Sequence, residues 1–210
     1  MNYDHLLLPS GAASIADVDD YLSTQQGQPE TAVVAAIAAE LNKRNAALPE
    51  SDTFLGTESV GGAPSGAVLH VSCPYDAIGF VRGLLFELAT PRDYAIYDPQ
   101  LAWVLDPAAR VDLTVTHGGA GEFPYLTESL LAQWIPELGD PDPFLIAERA
   151  PEHYMQTYRA GADSYTVEYR DGSAERHYGL EATDPAQVST LFWEWATGAP
   201  STGAWQRVQL

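Results

Sequence analysis

Histidine, cysteine and serine side chains are the groups in this chain that could bind a metal ion or act as catalytic nucleophiles and bases. The chain has five histidines, but no two of them stand four residues apart and none neighbours a cysteine. No serine lies in a Gly-x-Ser-x-Gly sequence, the turn on which many hydrolases expose a nucleophilic hydroxyl. The histidines are His5, His70, His117, His153 and His177. The sequence therefore predicts no catalytic residues, no metal site and no cofactor.

A glycine-rich segment, Gly118 to Gly121, lies between a predicted strand and a predicted helix, as phosphate-binding loops do. No Lys-Ser or Lys-Thr pair follows it, and Glu122 would place a negative charge beside the phosphate. We therefore reject a phosphate-binding loop. Paired carboxylates for glycosidase chemistry stay an open alternative, because any two of the 29 acidic residues could meet across a cleft.

The composition favours a folded, acidic protein. With 210 residues, 46% of them hydrophobic, the chain can bury a sizeable core. Its 29 acidic and 10 basic residues give a formal charge of −19, which argues against nucleic-acid binding and leaves basic partners open. Cys73 is the only cysteine, so no internal disulfide can form, and no basic segment leads into a long apolar run. We expect a cytoplasmic protein with no membrane partner and with a buried Cys73 thiol.

Local patterns in the first half predict a small sheet covered by helices. Strand patterns at 3–8, 67–72, 94–97 and 102–105 are interspersed with three helical segments. A new strand begins after Asp106-Pro107, which predicts one domain at 1–108 and a second at 109–210. Residues 49–66 form the longest predicted loop. The predicted class is α+β, with two small, mainly antiparallel sheets, each covered by helices.

The second half is predicted to contain further strands, a hairpin and a capped helix. Strands are expected at 144–148 and 154–158, and a helix over 126–135. Alternation over 164–170 predicts another strand, Asp171-Gly172 a turn, and 173–180 the returning strand. Asp184 followed by Pro185 predicts the start of a helix. Trp205, in a closing strand over 203–210, is expected to fill the core beside that helix.

The hairpin contains a charge conflict whose relief has two interpretations. A two-residue loop would set Glu168 directly opposite Glu175, and like charges at that spacing destabilise a strand pair. A three-residue loop would set Glu168 opposite Arg176, so a longer loop or a bulge would remove the conflict. Alternatively, these residues belong to an exposed polar face whose repulsion a basic partner relieves. On this second interpretation, the partner-binding residues are Glu168, Asp171, Glu175, His177 and Glu181.

Several segments between Phe144 and the end of the chain resemble a family of bacterial immunity proteins. The segments are 144–149, Tyr154-Met155-Gln156, 165–172, His177-Tyr178, Phe192-Trp193 and Trp205, and they cover about a third of the chain. Members of that family neutralise toxins of polymorphic or contact-dependent systems, commonly nucleic-acid deaminases and nucleases. The resemblance implies a protein-binding α+β module without catalytic residues. Residues 3–105 lie outside it.

The combined expectation is a non-enzymatic binding protein that neutralises a basic toxin, which its acidic surface would attract over long range. Two other classes stay open. The first is a hydrolase or another small-molecule enzyme with its site in the groove between the two halves. The second is a structural protein that self-associates into a homo-oligomer through exposed aromatics such as Trp193.

Overall fold

Residues 2–208 are described by a computed structural model, in which the chain divides into two units, Met1–Ala108 and Ala109–Leu210. The first unit contains a four-stranded antiparallel sheet and the second a seven-stranded antiparallel sheet, and the described residues also form five α-helices. The predicted α+β class is confirmed. Within the described part of the chain, no helix is long and apolar enough to cross a membrane.

The first unit is a sheet with helices on both faces. Its elements are β1 (Asn2–Pro9), α1 (Val18–Gln25), α2 (Ala32–Ala46), β2 (Leu69–Pro74), α3 (Ile78–Ala89), β3 (Tyr94–Asp98) and β4 (Trp103–Leu105), with strand order β2-β1-β3-β4. Leu7 and Ile96 lie opposite each other on neighbouring strands and are buried on one face. On the other face, Tyr21 and Leu22 of α1 pack against the core around Leu8. This alternation of buried residues is what the period-two pattern of β1 predicts.

Two asparagines of α2 hold the segment between α2 and β2, which contains the longest predicted loop. Asn45 Oδ1 accepts hydrogen bonds from the backbone N–H groups of Phe54 (2.8 Å) and Leu55 (3.1 Å). The Asn42 amide donates to the carbonyl of Val60 and accepts from its N–H, each at 2.9 Å. Phe54, Leu55 and Val60 are also buried. This segment is therefore held by side-chain hydrogen bonds and apolar contacts, and not by the backbone pairing of a strand.

The second unit is built on the larger sheet. Its elements are β5 (Val111–His117), β6 (Gly121–Leu126), α4 (Glu128–Trp134), β7 (Phe144–Ala150), β8 (His153–Gly161), β9 (Ser164–Asp171), β10 (His177–Ala182), α5 (Pro185–Thr197) and β11 (Gln206–Arg207), with strand order β11-β10-β9-β8-β7-β5-β6. Helix α5 begins where the sequence predicts, since Asp184 Oδ1 accepts a hydrogen bond from the Ala186 N–H at 2.9 Å. Gly198 ends the helix with a φ of 73°, which costs glycine little.

The helix predicted over 126–135 begins later than expected. Leu126 is the last residue of β6, in which the buried Phe123 and Tyr125 alternate with the exposed Glu122 and Pro124 as in a strand. The Thr127 hydroxyl then accepts a hydrogen bond from the Leu130 N–H at 3.1 Å and caps α4. Thr127 is therefore the single residue between the strand and the capped helix.

The prediction that Trp205 fills the core is wrong. Its ring is half-buried and packs edge-on against Tyr169 at 4.8 Å, and its Nε1 donates to the Ser201 hydroxyl at 2.7 Å. Strand β11 comprises only Gln206–Arg207, so this segment runs along the sheet edge. Residues 209 and 210 of the predicted closing strand lie outside the described residues.

Candidate functional site

The seven-stranded sheet has a buried face and a partly exposed face. Buried on the helix side are Leu145, Ala147, Met155, Thr157, Tyr165 and Val167. On this side Trp134 of α4 packs against Phe123 with ring centroids 4.7 Å apart, and the Tyr165 hydroxyl donates to the Ile135 carbonyl at 3.5 Å. The opposite side, which we call the outer face, is formed by the alternate residues and is only partly covered. It includes Phe144, Ile146, Gln156, Tyr158, Thr166 and Glu168.

Neither predicted register of the hairpin is present, and the prediction that Glu168 lies opposite Glu175 or Arg176 is wrong. Glu168 lies opposite Gly179. The connection between β9 and β10 is longer than a two- or three-residue loop and contains a 3₁₀ turn, Ala174–Arg176. On the helix side, Tyr169 and Tyr178 face each other and stack with ring centroids 5.1 Å apart. This aromatic pair favours the observed register, in which the Glu168 carboxylate meets no like charge across the strands.

One neighbouring side chain is hydrogen-bonded to the Glu168 carboxylate, and a second lies close to it. Gln156 Nε2 donates to Glu168 Oε2 at 2.7 Å, and His177 Nε2 lies 3.4 Å from the same oxygen. The side chain of Glu168 is 25% exposed. Among the described residues, both contacts use Oε2, so Oε1 keeps its lone pairs for a donor from outside the chain.

Two cavities open on either side of Glu168. The first, of about 400 Å³, is lined by Phe144, Ile146, Gln156, Thr157, Tyr158, Thr166 and Glu168. The second, of about 530 Å³, is lined by Thr166, Glu168, Gly179, Leu180, Glu181, Gln187, Ala204, Gln206, Arg207 and Val208. Thr166 and Glu168 line both, and the Thr166 hydroxyl also bonds Glu181, with oxygen distances of 3.0 and 3.2 Å. The outer face thus presents two carboxylates, Glu168 and Glu181, which line one cavity together and lie beside a second, apolar one.

The other predicted site residues lie in different surroundings. His177 was expected on an exposed face, but it is 5% exposed, because Glu168 and the Tyr154 ring cover it. Asp171 forms an ion pair with Arg176 (3.2 Å) at the end of β9, and its carboxylate lies 3.3 Å from His153 Nδ1. The site therefore combines Glu168 and Glu181, with His177 as a buried support, while Asp171 does not line either cavity.

Glu175 lies in the 3₁₀ turn between β9 and β10 and lines neither cavity. A hydrogen bond from its own backbone N–H, followed by one from the Ser173 side chain, lowers the pKa of Glu175. Its carboxylate is thus satisfied locally, and it is separate from the pair on the outer face.

Sequence reasoning missed the apolar part of the site. Phe144 and Ile146 point to the outer face, while Leu145 and Ala147 are buried on the helix side. Four consecutive apolar residues in an antiparallel strand indicate that both of its faces are apolar, which was the available signal. Tyr158, which is 51% exposed, had no such signal because it stands alone among polar neighbours.

The first unit contains a buried polar cluster at one end of its sheet. Asp98 is fully buried and accepts hydrogen bonds from the Tyr3 hydroxyl (2.7 Å), the Arg82 guanidinium (3.2 Å) and the N–H groups of Gln100 and Leu101 (both 3.1 Å). Burial, followed by the bond to Asp98, raises the pKa of Tyr3. With four donors around it, the Asp98 carboxylate is satisfied internally, and the cluster is suited to fixing the end of the sheet.

His5 lies beside this cluster and differs from it. It is 0% exposed, and neither ring nitrogen has a hydrogen-bond partner among the described residues. Burial lowers the pKa of His5 to about 4, so the imidazole is neutral near pH 7. On the neighbouring strand, Cys73 is buried as predicted, and burial raises the pKa of its thiol to about 11. In the described residues, no group of three or more histidine, cysteine or acidic side chains could hold a metal ion.

Comparison with known proteins does not assign a family. No protein-family model, no curated protein and no solved structure matches the chain. Function must therefore be argued from the geometry of the outer face and from the resemblance described above.

Proposed function

We propose that the second unit is a non-enzymatic binding module of the immunity type, which neutralises a basic protein toxin through its outer face. The observation that supports this most directly is the position of Glu168. Its partly exposed carboxylate lies on the outer face between two cavities, one of which is also lined by Gln187 of α5, and its Oε1 is unused by the described residues. Such a group is placed to accept hydrogen bonds from a cationic partner.

The charges of the outer face favour a basic partner. Glu148, Glu168 and Glu181 belong to it, whereas Arg170 on the same face is ion-paired with Glu152 at 2.6 Å. The chain as a whole carries a formal charge of −19. A basic protein would be attracted over long range by this field and then oriented by the local carboxylates.

The same face also offers apolar contact area. Phe144 and Ile146 are partly exposed, and Tyr158 is 51% exposed beside them. Interfaces gain most of their affinity from a few buried aromatic or aliphatic anchors surrounded by polar groups. The arrangement of an apolar cavity next to a held carboxylate is therefore suited to binding a protein.

The proposal can be tested by growth protection. The neighbouring toxin, meaning the product of the reading frame beside this chain's gene, is expressed in bacteria together with the parent chain or with a charge-reversal variant. We expect the parent to restore growth and Glu168→Lys with Glu181→Lys to lose protection. The more conservative Glu168→Gln keeps the shape of the side chain and should weaken protection, which covers the case in which the double variant fails to fold.

A matched control changes net charge by the same amount elsewhere. Glu58 and Asp163 are exposed and make no side-chain hydrogen bond or ion pair with the described residues. Glu58→Lys with Asp163→Lys should protect as well as the parent. The proposal fails if the neighbouring frame encodes no basic toxic protein, or if the outer-face variant and this control protect equally.

A further inference from the structure

We infer that the 400 Å³ cavity beside Glu168, lined by Phe144, Ile146, Gln156 and Tyr158, is an anchor pocket for one arginine side chain of the protein partner. This inference rests on the proposed function and names the group that the outer face recognises. We call this cavity the anchor pocket. Its volume falls within the roughly 300–1,000 Å³ that is usual for binding pockets.

The polar atoms of the anchor pocket are matched to a ligand rich in donors. Because a carboxylate can only accept hydrogen bonds, the 2.7 Å contact with Glu168 fixes the Gln156 amide with Nε2 toward Glu168. Gln156 Oε1 and Glu168 Oε1 then both accept nothing from the described residues. An arginine guanidinium carries five N–H donors and no acceptor, so it can satisfy both oxygens at once.

The apolar lining suits the rest of an arginine side chain. Phe144 and Ile146 can cover its methylene stem, and the exposed Tyr158 ring can stack on the planar guanidinium. The same unit already contains three such pairs: Arg170 lies over Tyr154 at 5.6 Å, Arg159 over Tyr165 at 5.5 Å, and Arg149 over Trp195 at 5.1 Å. Of these arginines, Arg170 combines an aromatic ring with a carboxylate, that of Glu152 at 2.6 Å, which is the combination that the anchor pocket offers.

Other ligands fit less well. An anion would be repelled by Glu168, and an apolar side chain would remove water from its carboxylate without replacing the lost hydrogen bonds. Lysine has a compact ammonium group, which is strongly hydrated and cannot form the planar, two-pronged contact. The anchor pocket should thus prefer arginine to lysine.

The test uses N-acetyl-arginine amide as a probe for the full-length protein, followed by NMR of the Ile146 methyl and the Gln156 side-chain amide. We expect saturable shifts at these two groups. The neutral isostere N-acetyl-citrulline amide should bind at least about tenfold more weakly, as should the arginine probe to Glu168→Gln, because a charge-assisted hydrogen bond is lost. Glu58→Gln removes the charge of an exposed residue that makes no side-chain hydrogen bond or ion pair with the described residues, and it should leave binding of the arginine probe unchanged.

The results separate this inference from the proposed function. If the arginine and citrulline probes bind equally, or if the shifts appear away from Ile146 and Gln156, the arginine pocket is wrong. That result leaves the proposed function standing, provided that the Glu168→Lys, Glu181→Lys variant still loses protection. If the arginine probe binds as expected but that variant protects fully, the pocket is confirmed and the toxin-binding role is the part that fails.

Discussion

One buried residue of the first unit, His5, should make the protein less stable as the pH falls. This side chain is 0% exposed on β1, and neither ring nitrogen has a hydrogen-bond partner among the described residues. Burial is the largest influence on its pKa and lowers it; Asp98 and Asp4 favour the charged form, and Arg82 opposes it. Between the unfolded and folded pKa values, the unfolded chain therefore binds a proton that the folded chain does not.

The size and sign of the effect follow from the two pKa values. In the folded chain the pKa falls from its ordinary value of 6.5 to about 4, a difference that corresponds to about 3 kcal/mol. Because the lowered pKa is that of a base, the neutral imidazole contributes fully to the free energy of unfolding above pH 6.5. This contribution is lost as the pH falls toward 4. Between pH 7.5 and pH 4.5 the loss should be about 2.5 kcal/mol.

The assay is urea unfolding of the full-length protein at those two pH values, compared with His5→Phe. Carboxylates also titrate in this range, but they do so in both proteins, so the difference between parent and variant isolates His5. His70→Phe is the control, because the His70 side chain is 61% exposed beside Asp4 on the same sheet and should behave as the parent does. An equal loss of stability in the parent and His5→Phe would refute the reasoning, as would an NMR titration that places the pKa of His5 near 6.5.

Three further substitutions test other parts of the fold by urea unfolding at pH 7. Asp98→Asn should cost about 3–5 kcal/mol, since it removes the negative charge facing the buried Arg82, and a cost below about 1 kcal/mol would show that the pair is unimportant. Arg149→Ala should cost about 1–2 kcal/mol, because the Arg149 guanidinium donates to two carbonyls at the end of α5, at 2.6 and 3.2 Å. Arg149→Lys should recover part of this loss. An Arg149→Ala variant as stable as the parent would contradict this role of Arg149. Asp184→Ala should cost about 1 kcal/mol by removing the cap of α5, whereas Asp184→Asn, which keeps an acceptor oxygen, should cost much less.

The sequence predicted those elements whose signals are local. The alternation in 164–170 and the Asp184 cap each depend on neighbours within a few residues, and both are present. The register between β9 and β10 was not predictable in this way. Asp171-Gly172 favours a tight hairpin, but the Gly172 N–H donates instead to the Glu152 carbonyl of another turn, at 2.8 Å. A contact across 20 residues thus overrides the local turn signal.

The candidate site was predictable only in part for a similar reason. Glu168 and Glu181 were named from the charge pattern of two adjacent strands. The apolar wall of the anchor pocket comes from β7 and β8, and it meets Glu168 only because the strand order places β8 between β7 and β9. Strand order is a property of the whole unit, so no local pattern could have joined Phe144, Tyr158 and Glu168.

The most direct test of the central claim, that the outer face binds a basic protein, is hydroxyl-radical footprinting of the chain with and without saturating neighbouring toxin. Tyr158 on the outer face and Tyr75 in the first unit are each 51% exposed, so they should be oxidised at comparable rates in the free protein. We predict that the complex protects Tyr158 and leaves Tyr75 unchanged. Protection of Tyr75 with continued oxidation of Tyr158 would contradict the claim and place the binding surface on the first unit.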